Sequence, residues 1–354
     1  MNPDSGIRCM LMRGGTSKGA FFVESDLPSR EEERNQLLMK IMGTPDPRQI
    51  DGMGGAHPLT SKVAIASSTD DADTDVEYLF LQLGVEQPIV TDRQNCGNLL
   101  AAIGPFALER GLIYVPNGDA SVRIRMRNTG GVAVARFKVR DGAPLYEGRT
   151  SISGVPGMAG EISIDFLDIA GGTTGALLPS GNTVDEIDGV AVTLIDNGMP
   201  VVVMRADDLG VTGYESCEEL ESNETLRDRL GAIRLEAGPL MNLGDVSGTT
   251  VPKMTLVAPP LGGGTVSTRT FIPHRCHDAI GVLGAVSVAT ACLLPDTPAN
   301  HMADLSTSNG LITLEHPTGT FDARVELEGH EVVRAGIIRT ARKLMDGYVY
   351  PRSY

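Results

Sequence analysis

Tryptophan is missing from this 354-residue sequence, aromatic residues make up only 4% of it, and positive charge is scarce. The 30 Lys and Arg residues stand against 45 Asp and Glu residues, which gives a formal net charge of −15. Nucleic acids and anionic membrane surfaces attract basic proteins, so we expect neither as a partner. No apolar run reaches the ~18 residues that span a membrane, and the start, MNPDSGIRCMLMRGG, does not resemble a signal peptide. We therefore expect a cytoplasmic protein.

Cysteine is sparse as well. The five cysteines are scattered and include no CxxC pair: Cys9, Cys96, Cys217, Cys276 and Cys292. This spacing fits neither a disulfide framework nor a zinc site, so we expect free thiols. The HRCH sequence at 274–277 does not predict a metal site either, because adjacent residues on a turn seldom converge on one ion.

Aliphatic residues and glycine, by contrast, are abundant. With 41% hydrophobic residues and 42 glycines, the chain can bury a large core and form many tight turns. Its length exceeds the ~100–200 residues of a typical domain, so we predict two domains with a boundary near residue 185.

Hydrophobic periodicity predicts both strands and helices in the first half of the chain. The predicted elements are, in order, a hairpin over 7–23 with a glycine-rich loop at 13–19, a helix over 31–42, a glycine-rich loop at 51–58 and a strand from Lys62. A further helix over 99–108 is apolar on nearly every side, and its Gly104-Pro105 pair predicts a kink.

The second half repeats part of this pattern. Its predicted elements are a strand over 190–195, a turn at 196–200, a strand over 201–204, an amphipathic helix over 223–237 and an apolar helix over 279–294. Cys96 and Cys276 each precede an apolar helix, and glycine turns at Gly14-Gly15 and Asn197-Gly198 come earlier in each half. This indicates two duplicated domains. Chance similarity between two apolar helices remains the alternative.

Cys96 is the sharpest local candidate for chemistry. It lies between a turn and a buried helix, beside Asn95, Gly97 and Asn98. The partial positive charge of a helix start activates a thiol and attracts carboxylates, and asparagine side chains can cap the helix or hold a carboxylate. An inert buried cysteine is the alternative. A Cys–His–Asp hydrolase is disfavoured because the sequence pairs no histidine with this thiol.

Lys62 directly follows the loop at 51–58 and begins an apolar strand. Partial burial there would favour the neutral amine, which can act as a base. A solvent-exposed lysine at the edge of a strand is the alternative.

The loop RGGTSKG at 13–19 lacks the order of a phosphate-binding loop, so ATP and NAD are disfavoured. Its N–H groups and hydroxyls could instead hold a carboxylate, or its glycines could simply shape the hairpin. Near the second apolar helix, Arg275 is a candidate carboxylate clamp, because guanidinium groups bind carboxylates through two hydrogen bonds.

Long runs of the sequence resemble the 2-methylaconitate isomerase (PrpF) family, with the 4-oxalomesaconate tautomerases and Δ-isomerases as the most similar branch. These runs are CMLMRGGTSKGAFF, RQIDGMGGAHPLTSKVAI, QNCGNLLAAIGPFALERGL, IDNGMPVV, MNLGDVS and RTFIPHRCHDAIGVLGAVSVATACLL. The resemblance covers nearly the whole chain.

The resemblance implies an α/β (α+β) fold of the diaminopimelate epimerase type. Two similar domains, 1–185 and 186–335, would each wrap strands around a central helix, with residues 336–354 returning to the first domain and the active site in the cleft between the domains. It also implies a cofactor-independent enzyme that needs no metal, takes a small polycarboxylate and forms a homodimer.

The resemblance further assigns roles to individual residues. Lys62 and Cys96 match the catalytic residues of the family. The expected substrate contacts lie around the same motifs: Arg13, Thr16, Ser17, Gly54, Gly55, Ser61, Asn95, Gly97, Asn98, Arg275, Cys276 and His277. Cys276 is placed among the binding residues because its neighbours depart from the pattern of the cysteine-pair epimerases.

The implied reaction is a 1,3-allylic proton shift that converts 4-oxalomesaconate to 2-keto-4-carboxy-3-hexenedioate, in the breakdown of lignin-derived aromatic compounds. Keto–enol tautomerisation of the same compound and isomerisation of 2-methylaconitate are the alternatives. A carboxylate-binding protein that has kept the fold without the chemistry is the non-enzymatic alternative.

Overall fold

A computed structural model describes residues 6–93, 95–306, 308 and 310–352. The chain divides into two compact units. Unit 1 comprises Met1–Asp165 and Ile338–Tyr354, and unit 2 comprises Phe166–Ile337. The N-terminal residues 1–5, Gln94 of the cysteine motif, and the end of the predicted C-terminal return, 353–354, lie outside the described residues.

The first boundary falls at residue 165 and not near 185, where the sequence predicts it. The intervening segment is tied to Asp196 of unit 2. The Asp196 carboxylate accepts hydrogen bonds from the backbone N–H groups of Thr173 at 2.9 Å and Thr174 at 3.0 Å, and its carbonyl accepts from Gly171 at 2.7 Å. Side-chain contacts of this kind leave no pattern in the local sequence, which explains the displaced boundary.

The regular elements are mostly short strands, with a smaller number of helices. The strands are β1 (Ile7–Gly14), β2 (Ser17–Val23), β3 (Lys62–Ser67), β4 (Val76–Leu83), β5 (Val90–Thr91), β6 (Gly118–Met126), β7 (Val132–Arg140), β8 (Ala143–Pro144), β9 (Glu161–Phe166), β10 (Asp185–Ile187), β11 (Val190–Asp196), β12 (Pro200–Arg205), β13 (Lys253–Ala258), β14 (Val266–Ile272), β15 (Arg275–Cys276), β16 (Leu311–His316), β17 (Gly319–Glu328) and β18 (Glu331–Val349). The helices are α1 (Glu31–Met42), α2 (Gly97–Leu100), α3 (Ile103–Glu109), α4 (Cys217–Ser222), α5 (Glu224–Leu240), α6 (Val282–Leu293) and α7 (Pro298–Met302).

Unit 1 contains a closed β-barrel. Its strands pair in the order β1, β2, β3, β4, β6, β7, β9 and β18, and β18 pairs back to β1. The pairs β2–β3 and β4–β6 are parallel. Closure satisfies the backbone hydrogen bonds at what would otherwise be the edges of the sheet.

The two faces of this barrel bury different helices. Phe21 points inwards, where its ring lies 5.5 Å from that of Phe106 in α3. Its neighbour Phe22 points outwards and packs with Leu38 and Ile41 of α1. This alternation follows from the two-residue period of a strand. The bounds of α1 confirm the predicted surface helix over 31–42.

The predicted continuous helix over 99–108 is wrong in one respect, because it is two helices. The break falls at Ala101 and Ala102, before the Gly104-Pro105 pair. Pro105 lies in the first turn of α3, where a missing N–H breaks no intrahelical hydrogen bond. At Gly104, a Cβ atom would lie 2.6 Å from the Phe137 ring, so glycine permits the close approach of α3 to β7.

Unit 2 has a similar strand arrangement. Its strands pair in the order β10, β11, β12, β13, β14, β16, β17 and the first part of β18, with β12–β13 and β14–β16 parallel. The helix α6 is buried along most of its length and contacts β11, β12, β16 and β17. As predicted, an amphipathic helix, α5, is present, and Asn223 caps it by accepting from the Leu226 N–H at 3.0 Å.

The fold is therefore of the α+β class and contains a β-barrel. All five cysteines are free. No helix in the described parts of the chain is long and apolar enough to cross a bilayer.

Candidate functional site

Lys62 begins β3, immediately after the glycine-rich loop. It is on the inner face of the unit 1 barrel and only 7% exposed. Its Nζ donates a hydrogen bond to Oε1 of Gln82 at 2.8 Å and lies 4.9 Å from the centre of the Phe80 ring. Among the described residues, no carboxylate forms an ion pair with Lys62. The amine is thus held by a neutral amide and an aromatic face.

The orientation of the Gln82 amide is fixed by three carbonyl oxygens. Its Nε2 donates to the carbonyls of Pro58 at 3.1 Å, Ser61 at 3.1 Å and Leu83 at 3.2 Å. A carbonyl only accepts hydrogen bonds, so the NH₂ end must face these groups and Oε1 must face Lys62. Gln82 therefore holds the amine in one position.

The inner face of β4 supports both predicted catalytic residues. Tyr78, Phe80 and Gln82 alternate along this strand and share that face, with ~7 Å between successive members. The Tyr78 hydroxyl donates to the backbone carbonyl of Cys96 at 3.3 Å, while the other two contact Lys62. Burial raises the pKa of Tyr78 well above its ordinary value, so its hydroxyl stays protonated and remains a donor.

Cys96 lies at the start of α2, as the sequence predicts. It is 8% exposed, and Oδ1 of Asn95 accepts its backbone N–H at 2.8 Å. Its carbonyl accepts from the Leu100 N–H at 3.0 Å, which closes the first helical turn after Gly97. No described side chain caps α2, so the N–H groups of that turn have no side-chain acceptor.

The hairpin between β1 and β2 packs against Asn98. The Asn98 amide donates to the Thr16 hydroxyl at 3.1 Å and accepts from Nε of Arg339 at 3.1 Å. A Cβ atom on Gly14 would lie 2.4 Å from the Asn98 carbonyl, and one on Gly15 would lie 2.1 Å from Asn98 Oδ1. The glycines thus allow a close contact between the hairpin and α2.

Replacing Gly15 with alanine is expected to lower the free energy of unfolding by about 3 kcal/mol. Part of this loss is the cost of φ +50 for a residue with a Cβ, and the rest comes from displacing Asn98 from its two partners. Gly142→Ala is the matched control, because Gly142 has φ +74 but a Cβ added there would meet no atom within 4 Å, and it should lose only about 1 kcal/mol. Urea unfolding measures both, and equal losses would contradict the proposed contact.

The two faces of the hairpin separate two predicted site residues. Ser17 shares the inner face with Lys62, is 2% exposed, and its Oγ has no hydrogen-bond partner among the described residues. Leaving a buried hydroxyl unpaired costs about 1–3 kcal/mol, so this group is free to bind a ligand. Arg13 lies on the outer face and donates to the carbonyls of Gly15 at 2.8 Å and Thr340 at 3.0 Å. Arg13 is opposite Lys18 on β2, whereas Lys62 is opposite Gly19, the next residue of that strand. Adjacent positions of a strand face opposite sides of the sheet, so the structure does not bring Arg13 together with Lys62.

The predicted loop residues are organised by Gln49. Its Oε1 accepts from the Ser61 hydroxyl at 2.7 Å and from the Ala56 N–H at 2.8 Å. A Cβ on Gly54 would collide with this amide, and one on Gly55 would lie 2.3 Å from the Thr60 hydroxyl. Ser61 is fully buried and its hydroxyl is engaged, so in this structure it holds the loop and contacts no open space.

Arg275 and Cys276 form β15 in unit 2. The Arg275 side chain is 87% exposed, and its Nε lies 3.8 Å from a carboxylate oxygen of Glu221. The same oxygen accepts the Cys276 N–H at 2.9 Å. Burial, together with the neighbouring Cys217 thiol, raises the pKa of Cys276. Its sulfur is therefore a neutral thiol at neutral pH.

His277 has a defined tautomer. Its Nδ1 accepts the Ala279 N–H at 2.9 Å, so Nδ1 carries no proton and Nε2 is the donor in the neutral ring. Burial lowers the pKa of His277, although the nearby Asp278 opposes that shift. Burial also lowers the pKa of His316, which lies near His277. Both rings are therefore uncharged at neutral pH.

Sequence reasoning does not single out Gln82 or Tyr78. The available signal is a polar amide at an alternate position of an otherwise apolar strand, but the sequence does not reveal which face of that strand is internal. Within the described ranges, no three His, Cys, Asp or Glu side chains are grouped so that they could hold a metal ion.

Comparison with known proteins gives a consistent result. A family model described as "PrpF protein" matches residues 5–352. The chain is 55% identical over 344 residues to the (4E)-oxalomesaconate Delta-isomerase of Novosphingobium sp. (strain KA1), covering 97% of this chain and 96% of that protein. It is also 55% identical over 346 residues to the 4-oxalomesaconate tautomerase of Pseudomonas putida, covering 97% and 95%.

Solved structures agree with the sequence comparison. The crystal structure of a methylitaconate-delta-isomerase is similar with a TM-score of 0.91 and 31% identity, covering 98% of this chain and 96% of that one. A hydroxyproline epimerase from Agrobacterium vitis matches with a TM-score of 0.53 and 13% identity, covering 99% and 94%. The second likeness concerns the fold alone.

Proposed function

The chain belongs to the PrpF family and is an isomerase, and from this premise we propose that it moves a proton on 4-oxalomesaconate by a 1,3-allylic shift. The single observation that carries the mechanism is the Lys62 amine, which is buried beside Gln82 and Phe80 with no carboxylate counter-ion among the described residues. Both 55%-identical relatives carry oxalomesaconate in their names, which supports this choice of substrate.

The proposed fold is of the diaminopimelate epimerase type, with two duplicated domains around central helices. Two observations support duplication. Unit 1 pairs β1 to β4 as antiparallel, parallel and antiparallel neighbours, and unit 2 pairs β11 to β14 in the same sequence. The short strands β5 and β15 each precede an apolar helix, although Cys96 directly precedes α2 whereas Cys276 lies within β15, before the loop that leads to α6 at Val282.

In the proposed mechanism, Lys62 acts as the base. Its neutral amine removes a proton from the CH₂ group next to the keto-acid, and the electrons of that C–H bond delocalise into a dienolate. A proton added two carbons away then completes the shift, so one C–H bond breaks, another forms and no redox change occurs. A neutral environment suits this role, because a nearby carboxylate would favour the ammonium form.

Stabilisation of the dienolate is the second task of the site. The Ser17 hydroxyl is buried, unpaired within the described residues and on the same barrel face as Lys62, so we assign it to a substrate oxygen. The uncapped N–H groups at Gly97 and Asn98 add donors that need no reorganisation. Cys276 and the Nε2–H of His277 in unit 2 stay proposed substrate contacts.

The group that returns the proton is Lys62 or Cys96, and isotope retention separates them. An ammonium group carries three hydrogens, so return by Lys62 in D₂O would retain about one third of the substrate hydrogen. The thiol of Cys96 carries a single, solvent-derived deuterium, so return by Cys96 would retain none. A single-turnover reaction followed by mass spectrometry measures this fraction.

Proton NMR in D₂O tests the reaction class. We expect the product to have a displaced double bond and deuterium at the carbon that was the alkene CH. Keto–enol tautomerisation, which the name of the Pseudomonas relative favours, would instead place deuterium next to the keto group and leave the double bond where it was. That result would contradict the proposed allylic shift and would favour the tautomerase reaction.

We further propose that the reaction serves the 4,5-cleavage breakdown of lignin-derived aromatic acids. Ring cleavage of an aromatic acid yields an unsaturated keto-polycarboxylate, the class of compound to which oxalomesaconate belongs. The proposal rests on the names of the two relatives.

A further inference from the structure

Three cationic side chains lie side by side across neighbouring strands of unit 1. Arg13 of β1 is directly opposite Lys18 of β2 and directly opposite Arg342 of β18. Directly opposed residues of paired strands share one face of a sheet and lie about 4.5–5.5 Å apart at Cβ. The register therefore sets three positive charges in a row, here named the basic row.

The basic row is on the outer face of the barrel, away from the proposed catalytic residues. Gly14 and Gly19, which alternate with Arg13 and Lys18, face inwards, where Cβ atoms would lie 2.4 Å from the Asn98 carbonyl and 3.0 Å from Leu99 Cδ1 of α2. Lys62 is in register with Gly19 and shares that inner face. Any ligand of the basic row is thus separated from Lys62 by the sheet.

A cavity of about 240 Å³ opens above the basic row. The segment 150–159 forms its far wall, and mutual backbone hydrogen bonds between Thr150 and Ala159, at 3.0 and 3.1 Å, close that segment into a loop. The wall is mostly apolar and includes Ile152 and Met158. The cavity therefore has one cationic side and one hydrophobic side.

The basic row has no anionic partner in the described parts of the chain. No ion pair among the described residues includes Arg13, Lys18 or Arg342, although acidic residues outnumber basic ones in the sequence. Other arginines of unit 1 do have carboxylate partners, namely Arg110, Arg123, Arg125 and Arg127. Like charges directly opposite each other destabilise a sheet. Burial lowers the pKa of Arg13, and repulsion from the neighbouring Arg342 adds to that shift. An anion in the cavity would relieve it.

We propose that this cavity is a second anion site, distinct from the catalytic one, and that it binds a small organic carboxylate. The carboxylate would lie against the basic row, and a compact apolar body would lie against Ile152 and Met158. The volume is below the ~300 Å³ at which drug-sized pockets begin, which suits a ligand of about ten heavy atoms. Bare phosphate would gain the charge interaction but would leave the apolar wall uncovered.

Titration calorimetry with benzoate and with inorganic phosphate at low ionic strength tests the proposal, because salt screens exposed charges. Benzoate should bind saturably with Kd of about 1 mM, more tightly than phosphate. Arg342→Gln and Lys18→Gln should each weaken benzoate at least tenfold. Lys138→Gln is the matched control, because Lys138 is an exposed strand lysine already paired with Asp119. This variant should bind benzoate as tightly as the parent protein does.

Several outcomes would overturn the proposal. The first is that benzoate does not bind saturably, and the second is that phosphate binds more tightly than benzoate. The third is that benzoate binding survives both Arg342→Gln and Lys18→Gln but is lost in Lys62→Met, which would place the bound benzoate at the catalytic site. A change of oligomeric state in Arg342→Gln, seen by sedimentation, would instead assign the basic row to a second copy of the chain. Calorimetry reports binding without turnover, so the result is independent of the proposed isomerase reaction.

Discussion

Replacing Lys62 with methionine is expected to lower kcat for isomerisation by at least about 10³-fold, because the variant has no base next to the substrate carbon. Methionine is similar in length and apolar, so it can occupy the same space above the Phe80 ring. It leaves Oε1 of Gln82 without its donor, at a cost of about 1–3 kcal/mol in stability. The change in ultraviolet absorbance as the double bond moves into conjugation with the keto group measures the rate, and thermal unfolding measures the stability.

Lys138→Met is the matched control for this substitution. Lys138 lies on β7 and its ammonium pairs with Asp119 at 3.1 Å, with both side chains largely exposed. Exposed pairs contribute only about 0–1 kcal/mol, so both rate and stability should stay near those of the parent protein. Undiminished isomerisation by folded Lys62→Met would exclude Lys62 as the base.

Replacing Gln82 with glutamate is expected to make the reaction strongly dependent on alkaline pH. The carboxylate would take the place of an amide oxygen that lies 2.8 Å from Nζ of Lys62. A negative charge at that distance favours the ammonium form, and the base must be neutral to accept a proton. The rate should therefore fall about 10–100-fold at neutral pH and recover as the pH rises, with the rising limb displaced by about 1–3 pH units.

The Gln82→Met variant separates the effect of an added negative charge from the effect of losing the hydrogen bonds of the Gln82 amide. Both substitutions remove the Nε2 donor from the carbonyls of Pro58, Ser61 and Leu83, but only glutamate adds a charge. Methionine should lower kcat only because the Lys62 amine is held less firmly, and the pH–rate profile should not shift. Identical pH profiles for Gln82→Glu and the parent protein would show that the amine beside residue 82 is not the base. Full pH–rate profiles of kcat make the comparison.

The sequence indicates several local features of the site, but it does not show which of these residues come together in the folded protein. The cysteine at a helix start and the lysine after a glycine loop follow from turn residues and apolar runs, and the structure has both arrangements. Strand alternation also implies that Arg13 and Ser17 cannot share a face across the hairpin. It does not indicate which face is internal, so the outward position of Arg13 requires the closed barrel.

Some expected ligand contacts are engaged within the protein. The Ser61 hydroxyl is used by Gln49, a residue twelve positions away, and the Asn98 amide is held by Thr16 and Arg339. Each partner lies on a different element, and such pairings leave no periodic signal. Ser17 differs from these because its buried hydroxyl stays unpaired within the described residues.

By itself, the sequence determined the elements whose causes are local. The helix over 31–42, the turn before Pro200 and the helix capped by Asn223 follow from spacing, turn residues and capping, which act within a few positions. Only the tertiary structure decided the unit boundary at 165 and the support of Lys62 by Gln82. The boundary depends on the contacts of Asp196 with residues 171–174, and the support of Lys62 depends on the pairing of β3 with β4. Both bring together residues that are about twenty positions apart in the chain, which local sequence patterns do not record.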